Sequence, residues 1–164
     1  MGIFSAAIAL FGPGGVGRYE RLPNPPCQQE AETKSTILVI DDDPMVLQIV
    51  KSVLGKEGYN VLASASAPKG LDTIRYVGGD VRLVLLDYKM PRLAGDETLA
   101  FVKRLSPSTR VIGITAMDIN TVPGEFLDGV DKLLLKPLVA AELIKTVHDL
   151  LGDRPVASVA ATLP

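Results

Sequence analysis

Between residues 35 and 151 short apolar runs alternate with stretches of helical period. Ile37 to Ile40 is apolar throughout and stops at an acidic triplet, Asp41, Asp42 and Asp43. Tyr59 to Ala63 is a weaker run, followed by Val81 to Leu86, Val111 to Ile114 and Lys132 to Leu135. Such runs suit strands covered on both faces, as in parallel sheets. Between them, Val46, Ile49, Val50, Val53 and Leu54 fall on one helical stripe, with Gly58 placed to stop it. Leu143, Ile144, Val147, Leu150 and Leu151 form another stripe ahead of Gly152. Strand–helix units repeated in this way predict an α/β fold: a five-stranded parallel sheet, doubly wound, with helices on both faces. Right-handed crossovers then bring all five strand carboxyl ends to one edge.

Composition sets the boundaries. The chain has 164 residues, room for one ordinary domain, of which 47% are apolar and 22% charged. Formal charge is −2 with both signs intermixed, which argues against direct nucleic-acid binding. Cys27 is the single cysteine, so neither an intrachain disulfide nor a multi-cysteine zinc site is expected. No apolar run approaches the roughly 18 residues of a membrane span. Ile3 to Phe11 lacks the basic flank and cleavage site of a secretory signal, and a cytoplasmic location is expected. Residues 1–34, rich in Gly and Pro, read as a flexible N-terminal extension, and residues 152–164 as a flexible C-terminal tail. Gly12-Pro-Gly-Gly-Val-Gly17 matches a phosphate-loop spacing, but Arg21-Leu-Pro-Asn-Pro-Pro26 forbids the helix such a loop must open.

Polar side chains gather at the predicted strand ends. Asp41, Asp42 and Asp43 follow the first strand and Asp87 the third, Thr115 closes the fourth, and Lys136 follows the fifth ahead of Pro137. Asp43 before Pro44 has the form of an N-cap followed by a first-turn proline. Crowded carboxylates repel unless a cation or proton sits among them. Magnesium suits them, because it takes one or two carboxylates together with waters and phosphate oxygens. A carboxylate left free beside it can attack phosphorus to give an aspartyl phosphate. Lys136 would offset charge on the transferring group and Thr115 would bond a phosphoryl oxygen. His148, beside Lys145 and Asp149, reads as a solvated helix residue.

Ile37-Leu-Val-Ile-Asp-Asp-Asp-Pro44, Leu85-Leu-Asp-Tyr-Lys-Met-Pro91 with Gly95, Ile114-Thr-Ala116 and Leu135-Lys-Pro137 resemble the motifs of bacterial two-component response-regulator receiver domains. The likeness is to the stand-alone, chemotaxis-regulator type and covers residues 35–151. It implies a flavodoxin-like strand order of 2-1-3-4-5. It also implies that Asp87 accepts a phosphoryl group from a sensor histidine kinase or a histidine phosphotransfer protein. Magnesium, or manganese in its place, would be held by Asp42, Asp87 and the backbone carbonyl of Lys89, with Asp41 binding directly or through water. Thr115, Ala116 and Lys136 would contact the phosphate, and Lys136-Pro137 would be a cis peptide.

On this reading the chain is a switch and not a metabolic enzyme. It acts on a downstream protein, with homodimerisation on phosphorylation as one outcome. The position that carries Tyr or Phe in the family is Leu133, so the usual aromatic readout is absent. Pro123-Gly124 interrupts the fourth helix, which should begin late or break. Lys89 and Met117 occupy positions that influence phosphate loss in the family, and neither suits a water-positioning group, so a long-lived phosphoryl state is expected. Two alternatives remain: a haloacid-dehalogenase-like aspartate phosphatase using Asp41-x-Asp43, and a non-phosphorylated scaffold. The first leaves Asp87 without a role, and the second leaves the set of Asp42, Asp87, Thr115 and Lys136 unexplained.

Overall fold

The computed structural model describes residues 34–152. The expectations for Ile3–Phe11, the glycine-rich loop, Cys27 and the tail beyond Gly152 lie outside them. Chain order is β1 (Lys34–Ile40), α1 (Pro44–Lys56), β2 (Tyr59–Ser64), α2 (Ala67–Val77), β3 (Val81–Asp87), α3 (Gly95–Leu105), β4 (Arg110–Thr115), α4 (Gly124–Gly129), β5 (Lys132–Leu135) and α5 (Ala140–Leu151). The five strands form one parallel sheet in the order β2-β1-β3-β4-β5. The expected α/β fold, strand order and doubly wound form are thus those observed.

Alternate residues of each strand feed two cores. Ile37, Val39, Leu83, Leu85, Ile112, Ile114 and Leu134 pack on one face with Val50 and Leu54 of α1 and Leu143 and Val147 of α5. Leu38, Ile40, Val84, Leu86 and Val111 pack on the other with Leu71, Ile74, Val102 and Phe126 from α2, α3 and α4. Burial on both faces explains why the central strands read as unbroken apolar runs. The two glycine stops both adopt the left-handed conformation that glycine favours, Gly58 at φ 87° and Gly152 at φ 71°. The fourth helix does begin late. A single 3₁₀ turn at Ile119–Thr121, capped by Asp118, precedes it, and Pro123 stands at its N-cap.

Two features went unforeseen. His148 is not solvated: it is 8% exposed, with Nε2 3.7 Å from Glu57 Oε2 and its ring tilted 6.0 Å from that of Tyr59. The turn between α1 and β2 covers the end of α5, widening its buried stripe beyond the apolar positions. At the opposite end of the sheet from Asp87, Asp131 ties three elements together. Its Oδ2 accepts from the Val111 amide at 2.8 Å and Lys103 at 3.2 Å, and its Oδ1 accepts from Arg110 at 2.8 Å.

Burial disfavours the charged form of Asp131, but these three donors outweigh it and hold the carboxyl below its ordinary value. Asp131→Ala should therefore cost about 2 kcal/mol at neutral pH. Since the folded group titrates below the unfolded one, its contribution is complete above about pH 5 and shrinks as pH falls below about 4. Urea melts at both pH values check this. A parent–variant gap that widened on acidification would contradict it.

Candidate functional site

The carboxyl edge of the sheet gathers the acidic residues. β1 delivers Asp41 to a fully buried position, where its backbone N–H donates to Ser64 O at 3.1 Å and its Oδ1 accepts from Asp43 N at 2.8 Å. Asp42 is exposed beside it. Asp43 turns away to cap α1, accepting from Met45 N at 2.8 Å with Pro44 in the first turn. β3 ends in Asp87, only 4% exposed. One carboxylate oxygen from each of Asp41, Asp42 and Asp87 lies within 4.8 Å of the others.

Lys136, immediately after β5, completes the cluster. Its Nζ is 2.8 Å from Asp41 Oδ2 and 3.3 Å from Asp87 Oδ1. Its backbone N–H donates to Thr115 O at 2.7 Å, and the Lys136–Pro137 peptide is cis. Thr115 is buried, and its hydroxyl accepts from Met117 N at 3.0 Å, leaving its own proton available. Ala116 is exposed next to it, and Leu133 is half-buried one strand over. Lys89 presents an exposed side chain, while its backbone N–H bonds the Asp87 carboxylate.

The loop after Asp87 folds back tightly. Arg92 adopts a left-handed φ of 75°. Gly95, opening α3, donates its N–H to Tyr88 O at 3.0 Å, and a Cβ on it would stand 2.7 Å from Tyr88 Cα. Only glycine permits that approach.

Charge within the cluster is unbalanced. Burial, reinforced by the negative charge of Asp41, pushes the Asp87 carboxyl above its ordinary value, against attraction from Lys136 and the bond from Lys89 N–H. Burial acts against the Lys136 ammonium, yet its hydrogen bond to Asp41 and its attraction to Asp87 hold it above an ordinary lysine. Among the described residues one ammonium, Lys136, thus pairs with two of the three clustered carboxylates, Asp41 and Asp87. A set of clustered oxygen donors with surplus negative charge fits a small hard divalent cation. Asp41, Asp42 and Asp87 would be its protein ligands.

A family model for the response regulator receiver domain matches residues 37–148. The chain belongs to this receiver-domain family. This receiver is 33% identical over 120 residues to the transcriptional regulatory protein AruR of Pseudomonas aeruginosa, covering 70% of this chain and 48% of that protein. It is 35% identical over 119 residues to a CpxR homolog of Haemophilus influenzae, covering 71% of this chain and 50% of that protein. It therefore spans about half the length of the curated relatives it matches. Among solved structures, receiver domains from Clostridium thermocellum and Methanospirillum hungatei superpose with TM-scores of 0.66 and 0.67. Each is 30% identical, with 72% of this chain and 94% of the other covered.

The receiver's strand-end residues are legible as a set in the sequence alone. Its aromatic contact between Tyr88 and Phe126, with ring centroids 4.9 Å apart, is not. That pair is distant in sequence and leaves no periodic trace. The only local hint was Gly113 in β4, where a Cβ would come within 2.8 Å of the Phe126 ring. No helix among the described residues is long and apolar enough to cross a membrane.

Proposed function

We propose that this receiver is a cytoplasmic, phosphorylation-dependent switch. In it Asp87 takes a phosphoryl group from the phosphohistidine of a sensor kinase or phosphotransfer protein. The supporting observation is Lys136 lying between Asp41 and Asp87, with Asp42 in reach of the same point. An Asp87 oxygen attacks phosphorus, the P–O bond forms, the P–N bond breaks, and the departing imidazole keeps the electron pair and takes up a proton. Lys136 faces the negative charge spread over the transferring oxygens, and the Thr115 hydroxyl donates to one of them. Magnesium, or manganese in its place, held by Asp42, Asp87, Asp41 and the Lys89 carbonyl, would screen the carboxylates and the incoming phosphate from each other.

The chain is not an enzyme toward free substrates and binds no nucleic acid directly. Its output is altered binding to a downstream protein or to a second copy of itself. Lys89 and Met117, flanking the acceptor, carry no acid or amide to align an attacking water, so the phosphoryl state is long-lived.

Acetyl phosphate supplies the test. With magnesium, the full chain should gain one phosphoryl group by mass spectrometry, lose it to hydroxylamine, and gain nothing in EDTA. It should show no steady turnover of p-nitrophenyl phosphate. Multiple turnover would point instead to the phosphatase reading, and absence of any adduct would leave the scaffold reading standing.

A further inference from the structure

The acceptor loop and α4 meet through one aromatic contact. Tyr88, immediately after Asp87, has its backbone held on two sides. Its N–H donates to Ile114 O at 2.8 Å and its C=O accepts from Gly95 N at 3.0 Å. With Gly95 pressed against its Cα, this residue is wedged between the end of β4 and the first turn of α3. The Tyr88 ring leans on Phe126, centroids 4.9 Å apart and planes inclined by 58°, the tilted arrangement that aromatic quadrupoles favour.

Phe126 is the single buried side chain of α4, and it is wholly buried. It lies over Gly113, in a slot that a Cβ there would close against both Phe126 and Leu133. α4 has only six residues, too few for its internal hydrogen bonds to sustain it alone. Among the described residues neither Glu125 nor Asp128 of α4 makes an ion pair. Phe126 thus anchors α4 in the core beside Val102 and Val111, with Leu127 packed against the same cluster, and the Tyr88 ring is the side of that seat nearest Asp87.

We propose that the Tyr88–Phe126 contact carries the state of Asp87 to α4, in place of an aromatic at position 133. The inference rests on Asp87 being the phosphoryl acceptor. A phosphoryl group adds charge and acceptor oxygens at Asp87 and draws in the Thr115 hydroxyl. The Tyr88 amide hangs on Ile114, the residue before Thr115, so displacement of the end of β4 moves Tyr88 and its ring. Leu133 packs beside Phe126 at the same slot but fills it as an aliphatic group, with no ring face to work against.

Backbone NMR of the full chain, without and with magnesium and beryllofluoride, tests this. In the parent, the amides of Asp87, Thr115 and Gly124–Gly129 should all shift. In Tyr88→Leu the shifts over Gly124–Gly129 should fall by roughly threefold, as expected for loss of a ring–ring contact. Asp87 and Thr115 should meanwhile respond as in the parent, and Tyr88→Phe should restore the α4 response. Leu133→Ala should leave that response in place.

An undiminished α4 response in Tyr88→Leu overturns the inference, as does its loss in Leu133→Ala alone. A parent in which Asp87 shifts and α4 stays still overturns the inference while sparing the acceptor reading. A parent in which Asp87 itself does not shift defeats both.

Discussion

Asp87→Asn should abolish acetyl phosphate labelling entirely and, in the metal-free protein, raise the melting temperature. The first effect follows from removing the nucleophilic oxygen, since a carboxamide in its place is far too weak to attack phosphorus. The second follows from the electrostatics. Burial and the neighbouring Asp41 hold the folded Asp87 carboxyl above its unfolded value. A group raised in this way supports the fold while protonated, and that support is lost as pH rises through its folded value, after which the buried charge opposes folding. The neutral isostere relieves that opposition, and Lys136 keeps its 2.8 Å partner in Asp41. A gain on the order of 1 kcal/mol is expected, the common size for relieving a functional site. Saturating magnesium should narrow the gap, because the cation stabilises the parent more than the variant. Thermal melts with and without metal read this directly. A fall in the metal-free melting temperature would mean that the attraction to Lys136 outweighs burial and repulsion.

Lys136→Ala should act in the opposite sense on stability. Asp41 is fully buried and Asp87 nearly so, and Lys136 is the cation that faces both, at 2.8 Å and 3.3 Å. Removing one partner of a buried pair leaves the others charged and unmatched, at a cost of about 3 kcal/mol. Phosphorylation should fall severely as well, since no ammonium then faces the transferring oxygens. Adding Asp87→Asn to Lys136→Ala should recover part of the lost stability, because one of the two stranded carboxylates is gone. Urea melts of the four proteins in this cycle measure the coupling. Strict additivity of the two single effects would show that Lys136 and Asp87 do not interact.

Much of this could be read from the chain because the strongest signals are local. Ile37–Ile40 and Leu83–Leu86 are apolar on both sides of the strand, and Asp43-Pro44 is a cap with its first helical residue. The site was readable for a related reason: in a doubly wound sheet, a polar residue ending an apolar run stands at the carboxyl edge, so Asp41, Asp87, Thr115 and Lys136 share one neighbourhood. What escaped notice depends on contacts between distant segments. His148 lies next to Lys145 and Asp149 in sequence, and only the docking of the Glu57–Tyr59 turn buries it. Tyr88 and Phe126 are each unremarkable alone and acquire meaning from the gap left by Gly113. Arg92 takes a left-handed backbone in a loop whose chemistry calls for no glycine there. Asp131 looks like one more acid before a short strand until three donors close on it.

β5 is four residues long and hydrogen-bonded to β4 alone, at the margin of the sheet. The cation that quiets the acidic pocket, Lys136, therefore stands directly after this marginal strand. Peeling that margin away would strand two buried carboxylates in the same event, so fraying there is penalised by electrostatics as well as by lost ladder bonds. By the same linkage, anything anionic that recruits Lys136 more firmly to the edge also rivets the border of the sheet.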